Sequence, residues 1–460
     1  MRCRRTLAWL KRPINQNPRP DLREVLLLAE FDAAEELSLL PRAGVDQSLL
    51  VAMPSEAKNS LTSLKNVSKI VKQSFFALVI CAAADIFAGF SIAKMSYLLA
   101  LYPGLIILIP SSINLRGLIF ASFGARLGTS FHTGEISPPL GRSEALRQQV
   151  GGVVVQTLFM PLILAFVVKG FGLAAGLETM TIYDLVLIAV ISSLLSGAIL
   201  LVFTLSMIDK SFKKGWDPDN ISMPLITAAG DVITIPLLFA SAIVVSKMGS
   251  TLEMVMILLF IMFSTAALVY CLGSGHIIMA RIVRQSLPVL AVAMVIDTVA
   301  GIFMGLTEEM LITLSVVLLL IPVFNAEGGN LGGILSSRLT SAYHLGLIRM
   351  GRRPEGETRT NFICTLLLSI MIFPTLGIIA YGVSEAFGLV GLGFGEIVFI
   401  CLVAGLFTTV IAIVVTYYFT YFFVKIGVDP DNVTIPMITS VMDVFGTASL
   451  ILVTMAVISA

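Results

Sequence analysis

The feature that most constrains this chain is the way its apolar residues are grouped. They fall into blocks of roughly 20, the length at which a helix crosses about 30 Å of hydrocarbon. The blocks lie near 75–93, 97–120, 148–171, 182–207, 222–246, 253–273, 287–305, 311–336, 362–383, 396–423 and 433–458. Backbone groups in lipid must pair within their own segment, so the expected fold class is all-α, a polytopic membrane protein. Composition agrees: 57% of the residues are apolar and 13% charged, against about 25% charged in soluble domains. A net charge of +1 offers no basic surface for nucleic acid. Cys3, Cys81, Cys271, Cys364 and Cys401 are scattered without metal-ligand or redox spacing and are read as small hydrophobes.

Residues 1–70 differ from the rest. They are basic at the start and lack an apolar core long enough for a signal peptide, which suggests a cytosolic tail with little fold of its own.

The chain repeats itself. "GWDPDNISMPLITAAGD" at 215–231 matches "GVDPDNVTIPMITSVMD" at 427–443, with nine of seventeen positions identical and an offset of 212. The same offset, without a gap, pairs Asp85 with Asp297, Pro110 with Pro322, Gly117 with Gly329, Arg126 with Arg338 and His132 with His344. Each copy supplies five helices, and the block at 253–273 has no counterpart in the first. Six crossings return the chain to the side it started from, so the repeats are parallel and related by a pseudo-two-fold axis along the membrane normal. A single chain then completes a pseudo-dimer. The expected division is a tail at 1–70, a first repeat at 71–247, a linker with the extra helix at 248–283 and a second repeat at 284–460. Loops on one side carry most of the arginine and lysine, among them Arg142, Lys213, Arg284, Arg352 and Lys425, while the other side carries Glu178, Glu308, Glu309 and Glu385. This asymmetry puts the N-terminus in the cytosol and the C-terminus outside the cell membrane.

Four carboxyl groups, Asp85, Asp231, Asp297 and Asp443, fall inside apolar blocks. An aspartate at mid-helix costs about 2.5–3.5 kcal/mol on insertion scales, so it faces a cavity, an ion or a hydrogen-bonding neighbour. Residues 321–341, "IPVFNAEGGNLGGILSSRLTS", interrupt another block. Pro322 removes a donor and the glycine pairs tolerate irregular backbone. The helix is therefore expected to open, exposing carbonyls beside Asn325, Gly329 and Asn330 as oxygen ligands for a hard cation. The alternative is a small-residue helix contact. Leu118 stands where the second copy has Asn330, so the halves are not chemically equal. Asp219 and Asn220, with Asp431 and Asn432, read as helix N-caps, with Pro224 and Pro436 in the first turns; His132 and His344 read as interfacial. No phosphate loop, zinc-protease motif or serine-hydrolase elbow occurs.

"NAEGGN" followed by "SSRLTSAYH", with the twice-written "DPDN…P…T…D", resembles magnesium transporters of the MgtE type. The tandem duplication is similar to the solute carrier 41 branch. The resemblance covers about residues 70–460. It implies a central cation pathway between two five-helix units. The final-helix aspartates matching Asp231 and Asp443 would face hydrated magnesium, with the stretch matching Gly329 and Asn330 beside the pathway. The chain departs from the pattern in lacking the cytosolic cystathionine-β-synthase-type domains of bacterial members and in carrying Leu118. The expected function is transport of a divalent cation, magnesium foremost, channel-like or by a carrier, without enzymatic activity. The ion is cargo, no cofactor is expected, and the partners are that ion and the bilayer. Asp231, Asp443, Asn330, Asn325, Gly329, Asp85 and Asp297 form the expected metal-binding set. The competing readings are a sodium-coupled magnesium exchanger and, from another class, a membrane scaffold or lipid-modifying enzyme with structural aspartates.

Overall fold

A computed structural model of the chain describes residue 75 and residues 78–459, apart from 133–135, 137–142, 214–217, 274, 345–347, 355, 390 and 427–429. The expected tail at 1–70, and the side chains of both DPDN motifs, His132 and His344, lie outside the described residues. The described residues are helical, in the order α1 (78–94), α2 (Ser96–Leu101), α3 (Leu105–His132), α4 (Glu144–Ala174), α5 (Ile182–Lys213), α6 (Pro218–Val245), α7 (Ser250–Gly273), α8 (Ile277–Leu306), α9 (Glu308–Thr313), α10 (Ser315–His344), α11 (Glu357–Phe387), α12 (Phe394–Lys425) and α13 (Pro430–Ile458). No strand occurs among the described residues. Ten of these helices are long and apolar enough to span a membrane. Side chains such as Ile80, Phe87, Leu258, Phe263, Phe407 and Leu452 point outward, more than half exposed, as a lipid-facing surface requires.

The helices recur in two copies. The spans expected at 97–120 and 311–336 are each broken once near the start. Tyr102 (φ −123°, ψ 83°) separates α2 from α3, and its counterpart Leu314 (φ −107°, ψ 72°) separates α9 from α10. The third helices, α4 and α11, are related by 213 rather than 212 and match Pro161 with Pro374. One residue is thus gained in the loop before α11 and lost in the loop before α12, which returns to 212. This refines the ungapped offset read from the sequence.

Packing between the copies is reciprocal. The first helix of each copy lies on the second helix of the other. A Cβ on Gly89 of α1 would overlap the carbonyl oxygen of Leu319 on α10, and one on Gly301 of α8 would overlap that of Ile107 on α3. These pairs differ by 212 at both ends. Glycine permits such backbone contact because it has no Cβ. The contact extends to the third helices: Lys94 donates to the Phe387 carbonyl at 2.8 Å and Phe90 stacks on Phe387, while α8 packs along α4. A contact in which i meets j′ and i′ meets j is the mark of a two-fold relation. The extra helix, α7, packs on α4 and α5 from outside, where Ser264 donates to the Leu158 carbonyl at 3.1 Å.

Two expectations are corrected. First, the helix does not open at 321–341. α10 runs unbroken from Ser315 to His344 through Pro322, and Gly328, Gly329, Gly332 and Gly333 keep ordinary helical backbone. Lost hydrogen bonds at intramembrane prolines are accommodated when neighbouring helices cover them. The glycines serve contact instead, so Gly329 offers no opened carbonyl. A Cβ on Gly328 would touch Thr408, one on Gly329 would touch Thr439 and one on Gly332 would collide with Ile438. The small-residue contact is what the stretch forms. Second, α6 and α13 begin at Pro218 and Pro430. Asp219, Asn220, Asp431 and Asn432 therefore lie within the first turn rather than at the N-cap, and the prolines occupy the first helical position, where a missing N–H costs nothing.

Candidate cation site

The four intramembrane aspartates meet in two equivalent pairs. The carboxyl of Asp85 on α1 hydrogen-bonds that of Asp231 on α6. Asp297 on α8 hydrogen-bonds Asp443 on α13 in the same way. Asp85 and Asp297 are sealed, at 2% and 0% exposure. Asp231 and Asp443 are as deep in the bundle, yet each keeps part of its surface open to a water-sized space. The charges of these two open aspartates also reach each other across the interface of the repeats. Two carboxyl groups in hydrogen-bonding contact must share a proton or a cation, since a bare pair would repel.

The other expected residues divide. Asn330 is half-buried on the same helix face as its counterpart Leu118 and lies alongside Glu327. Gly329 abuts Thr439, one turn before Asp443, and sets how closely α10 and α13 approach. Asn325 is buried between α10 and α13, where its Nδ2 donates to Thr447 Oγ1 at 2.8 Å. The structure thus brings Asp85, Asp231, Asp297 and Asp443 together, and makes Asn325 and Gly329 fasteners of the final helix. Among the described residues, no group of three or more His, Cys, Asp or Glu side chains could hold a metal ion.

Three residues at the site were not singled out from sequence. Asn114 on α3 donates from Nδ2 to Asp297 Oδ2 at 3.0 Å and to Ser440 Oγ at 2.9 Å, tying both repeats to one carboxyl. Glu327 on α10 is fully buried beside Asp85. Each was legible as a break in the internal symmetry: the counterparts of Asn114, Ser440 and Glu327 are Ala326, Ala228 and Leu115. Two open pockets lie elsewhere. The larger, about 550 Å³, is lined by Leu99, Pro103, Glu178, Glu308 and Glu309 among others, at the end of the bundle away from the basic loops, and holds none of the four aspartates.

The family described as MgtE, divalent cation transporter, matches residues 109–241 and again 321–453, ranges that differ by 212 at both ends. The chain is 25% identical over 369 residues to solute carrier family 41 member 2 of Macaca fascicularis, and equally so to that of Homo sapiens, each alignment covering 75% of this chain and 63% of the relative. It is 24% identical over 369 residues to solute carrier family 41 member 3 of Rattus norvegicus, covering 76% of this chain and 78% of the relative. The chain thus spans less than two thirds of the length of the member 2 relatives. No solved structure matches it. Matched twice over more than half of its length, the chain is a multi-pass membrane protein of the MgtE family of divalent cation transporters.

Proposed function

We propose that this chain carries magnesium across the membrane through a pathway lined by Asp231 and Asp443 at the interface of its two repeats. The observation that supports this most is the pairing of Asp85 with Asp231 and of Asp297 with Asp443, with the second member of each pair open to a water-sized space. Magnesium is small, dehydrates reluctantly and usually keeps several waters, so it suits one or two carboxylates acting across a water shell. A dehydrated transition metal favours clustered nitrogen or sulfur ligands, and none is grouped among the described residues. One chain supplies both halves of the pathway, as a pseudo-dimer of residues 71–247 and 284–460 joined through α7. The basic loops face the cytosol, which puts the N-terminus inside and the C-terminus outside.

The test is magnesium uptake into liposomes holding the purified chain, at clamped voltage and with or without sodium. Uptake driven by voltage alone supports the channel-like form. Uptake that requires a sodium gradient supports the exchanger. No uptake under either condition refutes the reading.

A further inference from the structure

Resting on that pathway reading, we propose that Asn114 is the pathway-facing amide of the first repeat, meeting the hydrated cation one helical turn from the level at which Asn330 meets it in the second. The two second helices, α3 and α10, are deeply buried. Each still keeps a line of partly exposed positions spaced by four residues: 114, 118 and 122 on α3, and 326, 330 and 334 on α10. Residues four apart share a helix face. The residues between 114 and 118, and between 326 and 330, are buried, so the line is narrow. Its polar groups are divided between the copies. Asn114 stands where the other copy has Ala326, Asn330 where it has Leu118, and Ser122 where it has Ile334. Each level thus has one polar side chain, supplied by alternate copies. Polar groups on a half-open line within membrane helices belong to a water-filled route, because lipid cannot satisfy them.

Hydrogen bonds fix how Asn114 is turned. A carboxylate only accepts, so the amide nitrogen is the end that faces Asp297. Nδ2 donates to Asp297 Oδ2 at 3.0 Å and to Ser440 Oγ at 2.9 Å, which uses both of its hydrogens. Both partners belong to the other repeat, on α8 and α13. The amide oxygen, Oδ1, takes no hydrogen bond from the described residues, and it is not one of the polar atoms sealed from solvent. It is therefore presented to the half-open space and held there by the two bonds behind it. An amide oxygen is a hard acceptor that suits a divalent cation or its water shell. The first copy thus keeps an amide on the route even though Leu118 occupies the position matching Asn330. Moving from residue 118 to residue 114 shifts that amide by about 6 Å along the helix. A neutral oxygen acting through the ion's waters needs no cluster of acids, and none occurs among the described residues. Amides at staggered levels let the ion exchange one contact for the next, which suits a site that must also release it.

The experiment measures magnesium uptake into liposomes holding the purified full-length chain, as a function of MgCl2 concentration. Asn114→Leu raises the concentration for half-maximal uptake by about tenfold, the usual effect of losing a group outside the metal's inner shell. The maximal rate changes less. Adding Ala326→Asn to Asn114→Leu returns an amide to that level from the opposite copy, without the bonds to Asp297 and Ser440. It restores part of the affinity and leaves the unfolding temperature at that of Asn114→Leu. A residue that only ties helices together gives the opposite pattern, with stability lost and uptake not rescued. Wild-type magnesium dependence in folded Asn114→Leu, or no rescue by Ala326→Asn, overturns the inference. Should Asn114→Leu fail to fold, the smaller Asn114→Cys decides the matter. It reacts with a water-soluble methanethiosulfonate faster than the native cysteines of the parent chain, and MgCl2 slows the reaction. No reaction above that of the parent overturns the inference. Asn330→Cys judges the pathway reading separately. If Asn330→Cys reacts and is protected by magnesium while Asn114→Cys is inert, only the role of Asn114 fails. If neither reacts, the pathway reading fails with it.

Discussion

Asn114→Ala isolates what the neutral donors are worth in the half that has them. The amide makes two hydrogen bonds, at 3.0 Å to Asp297 and 2.9 Å to Ser440. Asp297 is fully buried and its Oδ1 already lacks a partner, so the substitution leaves the carboxyl with Ser440 and Asp443 only. A hydrogen bond to a charged group is worth about 1.5–3 kcal/mol in soluble proteins, and polar bonds between membrane helices average about 0.6 kcal/mol with a maximum near 1.7. Two such bonds, one of them to an acid, give a loss of about 1–3 kcal/mol. Without divalent cations, Asn114→Ala and the nearly isosteric Asn114→Leu should unfold several degrees below wild type. With saturating magnesium the difference should persist, because Asp297 is sealed and a hydrated ion does not reach it. Calorimetry or dye-monitored unfolding in chelator and in MgCl2 measures both. Unfolding at the wild-type temperature in chelator would refute the argument, since the two bonds would then carry no net energy.

Other expectations follow from the helix contacts and the cavity at Glu308. Gly89→Ala and Gly301→Ala should each destabilise the chain by about 1–3 kcal/mol, the cost of overpacking against backbone that cannot move aside, and chemical unfolding of the purified variants measures it. Asn330→Leu should lower magnesium uptake far more than Leu118→Asn, and equal effects would make Asn330 ordinary packing. Glu308, half-buried at the cavity it shares with Glu178, is held above the usual carboxylate range by burial. As pH rises from about 4.5 through the raised folded value, the unfolded chain gives up its proton first, so stability falls over that window. Glu308→Gln should remove that part of the pH dependence, which an unfolding series across the window tests.

The repeat was legible because charged and helix-breaking residues are rare in apolar helices, so each coincidence at one offset carries weight. Asp85 with Asp297 and Asp231 with Asp443 were found in this way, and the structure joins Asp85 to Asp231 by the same hydrogen bond that joins Asp297 to Asp443. The reciprocal exchange of first helices was not legible. Gly89 and Gly301 mark a close approach, but a glycine does not encode which helix approaches it. The unbroken course of α10 was not legible for a related reason. Proline and glycine permit both an opened backbone and a tight contact, and Thr408, Ile438 and Thr439, from distant parts of the chain, decide between them. Glu327 was visible as an acid in a membrane helix and as a departure from symmetry, since its counterpart is Leu115.

The paired aspartates allow a final quantitative test. Moving two positive charges through 100 mV releases about 4.6 kcal/mol, twice the value for one charge. Inward flux of a divalent cation therefore needs no ATP, provided the site holds the ion loosely enough to release it. On the proposed pathway that site is Asp231 with Asp443. Their charges reach each other across the repeats and each is partly exposed, while Asp85 and Asp297 are sealed. Asp→Asn keeps the shape and removes one charge. Losing either open carboxylate should weaken the site without collapsing it, because the second remains in range of the ion. Asp231→Asn and Asp443→Asn should each reduce magnesium flux strongly, and the double variant should be nearly inactive. Insertion and stability must be checked first, since the rear aspartates gain an amide partner in both variants. If the folded, correctly inserted double variant carries magnesium at close to the wild-type rate, the aspartates only tie helices together and the ion passes elsewhere.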